Sequence, residues 1–327
     1  KMIQKDIIYL KGVIYQVLKY IKSCNKYQKG EIRKRKYAKL PPKIAKTTPW
    51  KTVCVDLIGP YTIKGKDGSI LDFMCLTMID PATGWFEIVE LPNRDVEYVQ
   101  DKENKEEILN VIIDKSSATV ARLFNKSWLS RYPRAKNVVY DNGSEFKLHF
   151  QSLCDSYGLK CKPTTIKNPQ SNAILERTHG VLADMLRTSG LDNSNTVTEV
   201  MIADFLIDAA WALRSTYHMV LGSTLGAAIF GRDMLYNIPY LADWTKIGKR
   251  RQDLVNRDCA KGNLRRVDFD YFQGQKVLLR KDGNLCKAET KNDGPFVITQ
   301  VHMNSKVRIQ RGSILERLNI KRLSPYF

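Results

Sequence analysis

Three carboxylates, Asp56, Asp141 and Glu176, lie at the ends of sequence elements, where an acid can meet a ligand. Asp56 interrupts the apolar run Val53-Cys54-Val55-Asp56-Leu57-Ile58. Burying a carboxylate in such a run is expensive unless a cation or hydrogen bonds compensate it. Asp141 follows Val138-Val139-Tyr140 and opens the turn Asp141-Asn142-Gly143, at the strand edge where α/β sheets place their sites. Glu176 falls in the first turns of a helix opened by Asn168-Pro169, a capping residue followed by proline at the first helical position. Helical spacing sets Glu176, His179, Gly180 and Ala183 on one side, and the small residues leave room for a bulky ligand. Taken singly, each acid also has a structural explanation, as a turn former, a dipole partner or a strand-end acid beside a lysine. No Ser/His or Cys/His constellation competes for a nucleophilic role.

The elements that would hold these acids follow from the periodicity. Strands are expected at Val53–Ile58, Ile70–Ile79, Trp85–Leu91 and Val138–Tyr140, with a short one near Leu159–Lys162. Helices are expected around Ala118–Trp128, Phe146–Tyr157, 172–187 and 198–216. Strands in a meander, then strands alternating with helices, predict an α/β sheet. Asn93–Lys115 is hydrophilic, and its Val96–Ser117 part reads as an exposed loop or an added helix. Ile7–Cys24 is helical by pattern. Short strands at Lys276–Arg280, Phe296–Val301, Lys306–Gln310 and Ile314–Leu318, separated by turn residues, suggest a small antiparallel barrel.

Charge divides the chain the same way. The net charge of +19 over 327 residues places +12 in residues 1–49, +11 in 246–327 and −4 in 50–245. With 43% hydrophobic residues the chain can bury a core, so the excess is not a sign of disorder. An acidic centre between basic ends suits a reaction centre held on a polyanion. No apolar run approaches the roughly 20 residues of a membrane span, and no signal peptide is read, so secretion and membrane insertion are not expected. Seven cysteines without a C-x-x-C pair suit buried thiols in a reducing compartment. Cys154 and Cys161 lack neighbours to complete a zinc set.

Together the acids and their surroundings resemble a known family. Trp50-Lys-Thr-Val-Cys-Val-Asp56-Leu-Ile-Gly-Pro-Tyr61 resembles the first catalytic motif of retroviral and LTR-retrotransposon integrases. Ile79-Asp-Pro-Ala-Thr-Gly-Trp-Phe-Glu87 resembles the hairpin that follows it, and Tyr140-Asp141-Asn-Gly-Ser-Glu-Phe146 the second motif. Asn168-Pro-Gln-Ser-Asn-Ala-Ile-Leu-Glu176-Arg-Thr-His179 resembles the third. Gly294-Pro295-Phe296 and the tail Glu316–Phe327 resemble the C-terminal module of gypsy-type integrases. The resemblance spans residues from about 10 to 327.

What it implies is an RNase H-like mixed sheet flanked by helices, with a degenerate N-terminal helical segment and a small C-terminal β-barrel. The implied organisation is a zinc-module remnant (1–28), a basic linker (29–49), a catalytic core (50–240), a second basic linker (241–267) and a DNA-binding barrel (268–327). The resemblance implies that Asp56, Asp141 and Glu176 bind two Mg²⁺ ions, with Mn²⁺ as a substitute; oxygen-only ligands suit such hard cations. The reaction implied is 3′-end processing of element DNA and its strand transfer into target DNA. The expected partners are double-stranded DNA, both element ends and target, and further copies of the chain assembled on it. Gln170, Ser171 and Asn172 are expected near the scissile phosphate, and Lys167 and Arg177 on phosphates. Arg33, Lys34, Arg35 and Lys36 in the first linker and Lys249, Arg250 and Arg251 in the second are further expected contacts. The expected setting is the nucleus or a virus-like particle of a eukaryotic host.

Three departures stand out. Where the family's zinc module ends in C-x-x-C-Q, this chain has Cys24-Asn-Lys-Tyr27-Gln28, and no histidine precedes His149, so no zinc is expected. Between Asp141 and Glu176 lie 34 residues, one fewer than the family's usual spacing. Asp56 and Asp141 are 85 apart, longer than usual, with the surplus at Val96–Ser117. A second reading is a catalytically decayed or domesticated DNA-binding protein derived from an integrase. A third is a nuclease acting on RNA–DNA hybrids.

Overall fold

The computed structural model describes residues 12–30, 36–100, 107–164, 173–281, 289–302 and 306–327. The chain forms two compact units, Ile44–Leu254 and Lys1–Lys43 with Val255–Phe327.

The first unit is built on a five-stranded mixed sheet. Its strands are β1 (Thr52–Lys64), β2 (Ile70–Ile79) and β3 (Phe86–Glu90); a hairpin of β4 (Asn93–Gln100) and β5 (Glu107–Ile113) follows, then β6 (Asn137–Tyr140) and β7 (Lys160–Pro163). The sheet order is β3-β2-β1-β6-β7. β1, β2 and β3 pair antiparallel, whereas β6 runs parallel to β1 and β7 parallel to β6. The helices are α1 (Ser117–Phe124), α2 (His149–Ser156), α3 (Ala173–Thr188), α4 (Glu199–Ser215), α5 (Leu225–Phe230) and α6 (Trp244–Asn263). This mixed α/β arrangement fits the RNase H-like expectation.

Strand alternation explains the layering. Val53, Val55, Leu76, Met78, Val138 and Tyr140 point to one face, where Val120 and Phe124 of α1 and Phe150 and Cys154 of α2 cover them. Cys54, Ile58, Cys75, Ile79 and Val139 point to the other, under Leu175 and Leu182 of α3 and Ile202, Leu206 and Ala209 of α4. Because both faces are covered, the middle strands read as continuous apolar runs; all four residues of β6 are buried. α1 starts on Ser116, whose side chain accepts from the Thr119 N–H, and α4 on Thr198, which accepts from the Met201 N–H.

Three expectations differ from what is observed. Val96–Ser117, read as a loop or added helix, mostly belongs to the antiparallel β4–β5 hairpin, with Val96 opposite Val111. The stretch 241–267, read as a linker, contains the 20-residue α6, and the division between the two units falls within it. The expected C-terminal barrel is an open five-stranded antiparallel sheet among the described residues. Its strands are β8 (Lys276–Arg280), β9 (Asn292–His302), β10 (Lys306–Arg311), β11 (Ile314–Asn319) and β12 (Leu323–Pro325), in the order β11-β10-β9-β8-β12. A 3₁₀ turn, Ile320–Arg322, carries the chain between the edge strands β11 and β12. The β12 edge is only three residues long and ends in Pro325, which has no N–H to extend a ladder.

The second unit also takes in part of the N-terminal stretch read as a linker. Lys36–Tyr37 pairs in parallel with Arg266–Val267. The Asn263 side-chain amide clamps the backbone of Leu40, receiving its N–H at 2.8 Å and donating to its carbonyl at 3.0 Å. The Gln28 amide does the same to Phe327, donating to its carbonyl at 2.8 Å and accepting its N–H at 3.1 Å. Ala38 is buried with Val277, Ile298, Val307, Ile309 and Leu323. Among the described residues, no helix is long and apolar enough to cross a membrane.

Candidate active site

Strand register relates two of the three acids. β1 and β6 are in parallel register with Cys54 opposite Val139. Two residues further on, Asp56 and Asp141 occupy corresponding places on adjacent strands, which run about 5 Å apart. Alternation gives Asp56 the parity of Cys54 and Ile58, and Asp141 that of Val139. That is the face covered by α3, which carries Glu176. The β6–β7 pairing extends past Tyr140 through the Thr164 N–H, which donates to the Tyr140 carbonyl at 2.8 Å. The Thr164 hydroxyl donates to Asp141 Oδ1, fixing that carboxylate at the strand end.

His179 docks α3 on this face. Thr77, fully buried on β2, lies opposite Asp56 in the β1–β2 ladder. Its hydroxyl donates to the Asp56 carbonyl at 3.0 Å and lies 2.8 Å from His179 Nε2. The single hydroxyl proton is used on the carbonyl, so the imidazole must donate from Nε2. Burial pushes the His179 pKa down to about 4, consistent with a neutral ring at pH 7. One turn separates His179 from Glu176, so this bond holds the Glu176 side of α3 against the strand pair that carries Asp56. Gly180, on the same side, faces open space, since a Cβ there would meet nothing within 4 Å.

The carboxylates feel one another. Asp56 is largely buried, and its pKa is raised to about 7, first by burial and then by the charge of Asp141, with smaller contributions from Glu176 and Glu145. A hydrogen bond at 3.0 Å from the Leu57 N–H to Oδ1 opposes this only in part. Glu176 is also raised, by burial and then by Asp141.

Glu145 is the acid that the sequence reading passed over as a site residue. Its carboxylate folds back over Gly143, into the space a Cβ there would need. Nothing in the pattern Ser144-Glu145-Phe146 announces this, because the fold-back depends on the short 3₁₀ turn Ser144–Phe146.

Among the described residues, no three His, Cys, Asp or Glu side chains already stand in a group that could hold a metal ion. The charges of Asp141 and Glu176 both act on Asp56. Asp56, Asp141 and Glu176 nevertheless offer only oxygen donors, and a hard divalent cation would relieve the repulsion that raises Asp56. By donor chemistry and charge the residues fit such an ion.

The expected DNA contacts fall into three groups. Lys167, Gln170, Ser171, Asn172, Arg33, Lys34 and Arg35 lie outside the described residues. Lys36, Arg177, Lys249 and Arg250 are exposed, the last donating to the Val220 carbonyl at 3.4 Å. Arg251 is half-buried and donates to the Pro81 carbonyl at 2.6 Å, with the charge of buried Asp80 acting on it. That engagement ties α6 to the turn after β2.

No protein-family model matches the chain. It is 25% identical over 225 residues to the retrovirus-related Pol polyprotein from transposon 412 of Drosophila melanogaster, a match covering 61% of this chain. The matched stretch is 18% of that polyprotein's length. Among solved structures, a chain from the cryo-EM structure of the simian T-cell lymphotropic virus intasome, in complex with PP2A regulatory subunit B56 gamma, superposes with a TM-score of 0.58 at 16% identity. That match covers 96% of this chain and 91% of the other. The HTLV-2 integrase catalytic core domain in complex with magnesium (trimeric form) matches 54% of this chain and 95% of its own at 18% identity, with a TM-score of 0.37.

Proposed function

We propose that the chain is the integrase of a gypsy-type LTR retrotransposon, a polynucleotidyl transferase that processes the 3′ ends of element DNA and joins them to target DNA. The observation carrying this reading is the β1–β6 register. By that register Asp56, inside β1, corresponds to Asp141, just past the end of the neighbouring β6, and α3, which carries Glu176, covers the face of their parity. The similarity to a retrovirus-related Pol polyprotein supports it.

Asp56, Asp141 and Glu176 would hold two Mg²⁺ ions, or Mn²⁺ in their place. When bound, these ions supply charge stabilisation to the attacking and leaving oxygens of an in-line displacement at phosphorus. The chain's own contributions are positional. The Leu57 N–H and the Thr164 hydroxyl orient the carboxylates of Asp56 and Asp141. His179 sets the height of Glu176 above the sheet, and the open side at Gly180 leaves room for a DNA strand. The nucleophile is water in 3′ processing and the new 3′-hydroxyl in strand transfer, so no covalent protein intermediate is needed. The partners are duplex element ends, target DNA and further copies of the chain that hold two ends together.

The test is a strand-transfer assay with a short duplex and Mg²⁺, comparing the natural chain with Asp141→Asn. Joining that disappears in the variant supports the proposal, and equal joining removes Asp141 from the mechanism. DNA binding with no joining at any Mg²⁺ or Mn²⁺ concentration would favour the decayed, DNA-binding reading. Cleavage of RNA–DNA hybrids without joining would favour the nuclease reading.

A further inference from the structure

Cys154 and Cys161 lack the neighbours of a zinc set, and the acidic site makes no use of them. Folding gives the two a relation that their spacing alone does not state. Cys154 lies in the last turn of α2, and the Leu159 N–H returns to its carbonyl at 2.8 Å, closing the helix end. The Lys160 N–H then donates to the Lys136 carbonyl at 2.9 Å, and β7 begins beside β6. Strand alternation gives Cys161 the parity of Leu159, which is buried in the same apolar cluster as Cys154. Cys161 packs against that cluster from a half-buried place opposite Val138.

The two thiols act on each other. Burial pushes the Cys154 thiol up, and the next causes are the charge and the hydrogen bonding of Cys161. Cys54 and Cys75 show the contrast. They sit on the paired strands β1 and β2, but Cys75 stands opposite Ile58, four residues from Cys54. At about 3.4 Å per residue that offset is about 13 Å, beyond the roughly 7 Å that a disulfide spans. Buried cysteines are usually inert core residues. Here a covered thiol stands beside one that solvent reaches, which is the arrangement of an oxidisable thiol and the thiol that resolves it.

We propose that Cys154 and Cys161 are a reversible redox pair that closes a disulfide between α2 and β7 when a peroxide is present. Cys161, the accessible thiol, gives two electrons to hydrogen peroxide; the O–O bond breaks, one water leaves and a sulfenic acid remains. The Cys154 sulfur then attacks the Cys161 sulfur, the S–O bond breaks, and the hydroxyl departs with the Cys154 proton as a second water. Two thiols and one hydrogen peroxide thus become one disulfide and two waters. A dithiol reductant returns both thiols by exchange.

The bond would tie down the strand that orients Asp141. Two residues past Cys161, Pro163 stands opposite Tyr140. The next residue, Thr164, donates its N–H to the Tyr140 carbonyl and its hydroxyl to the Asp141 carboxylate. The pair lies on the sheet face opposite the one that α3 covers, and its chemistry does not rest on the function proposed above.

The experiment treats the natural full chain with hydrogen peroxide in EDTA, blocks the remaining thiols, and maps the digest by mass spectrometry. The expected result is a Cys154–Cys161 linkage, two hydrogens lighter than the thiol form and lost on adding dithiothreitol. Cys75→Ser should keep the linkage, and Cys161→Ser should abolish it. The natural chain alone decides the linkage, so a variant that folds poorly does not spoil the test. In denaturant, the oxidised chain should unfold with an equilibrium constant at least tenfold smaller than the same chain after reduction. That difference should vanish in Cys161→Ser. Cys161 carried to sulfinic acid beside an unmodified Cys154, or either cysteine linked elsewhere, would overturn the pair. A linkage that leaves stability unchanged or lower would overturn the tie between α2 and β7. Joining does not enter this readout, so a chain that closes the bond but joins nothing would sink the integrase proposal and leave the pair standing.

Discussion

The two units solve the same electrostatic problem with opposite signs. In Ile44–Leu254, the parallel β1–β6 register makes Asp56 and Asp141 corresponding positions on the face that α3 covers, and burial, then the charge of Asp141, lifts Asp56 to about 7. In the other unit, Lys36 stands opposite Arg266 in a two-residue ladder, and burial with the charges of Lys43, Arg266 and Lys36 lowers Lys321 to about 8. Both clusters hold like charges together at a cost that folding elsewhere must offset. The lesson is that folding, not closeness in sequence, gathers each set of like charges. The oxygen donors of the first suit a hard divalent cation.

The most severe way to break the acidic half is Asp141→Asn. Removing a ligand that helps stabilise transition-state charge should cut strand transfer by about 10³-fold or more, on the order of 4 kcal/mol. Duplex binding in EDTA should remain.

Stability offers a second, opposite-signed test. Asp56 has a folded pKa near 7 against an ordinary value of 3.8. A raised carboxylate pKa means that the folded state holds its proton longer, so this stabilisation is full below about pH 4 and lost as pH rises through about 7. In EDTA at pH 8, Asp56→Asn should therefore be more stable than the natural chain, by on the order of 2 kcal/mol in denaturant unfolding. The advantage should vanish at pH 4 and shrink when Mg²⁺ is added. A variant less stable at pH 8 would show that the Asp56 carboxylate is already compensated.

His179→Ala should come next in size. Loss of the Thr77 hydrogen bond should cost about 1 kcal/mol of stability. If the Glu176 side of α3 drifts, kcat should fall about tenfold with little change in KM. A fall in stability alone, with kcat intact, would leave His179 as a packing residue. The smallest effect is expected from Glu145→Gln. Its charge is the weakest of those named on Asp56, so the Asp56 titration should move slightly to lower pH, by carboxyl NMR, with joining nearly unchanged.

The sheet strands and the helices over them were legible because burial on both faces, or on one stripe, leaves a strong pattern, as in Val138-Val139-Tyr140 or Ile202, Leu206 and Ala209. The three acids were singled out by the motifs around them; Asp56 lies inside β1, Asp141 just past β6 and Glu176 in the first turn of α3. Other features left no such trace. The β4–β5 hairpin pairs residues in a strongly charged stretch, so its alternation is diluted. α6 has only one buried residue, Ile247, and therefore shows no apolar stripe to tell a helix from a linker. A two-residue strand such as Lys36–Tyr37 is too short for any period. The open edge at β12, the inward turn of Arg251 and the fold-back of Glu145 depend on partners far away or on local backbone geometry, which composition does not record.

The central claim is that Asp56, Asp141 and Glu176 act as one divalent-ion site. Its most direct test is a Mn²⁺ titration of the full chain followed by electron paramagnetic resonance, repeated for Asp56→Asn, Asp141→Asn and Glu176→Gln. The account predicts saturable binding to the natural chain that each single substitution weakens at least tenfold, with DNA binding in EDTA unchanged. Undiminished Mn²⁺ binding in any one of the three variants would contradict it.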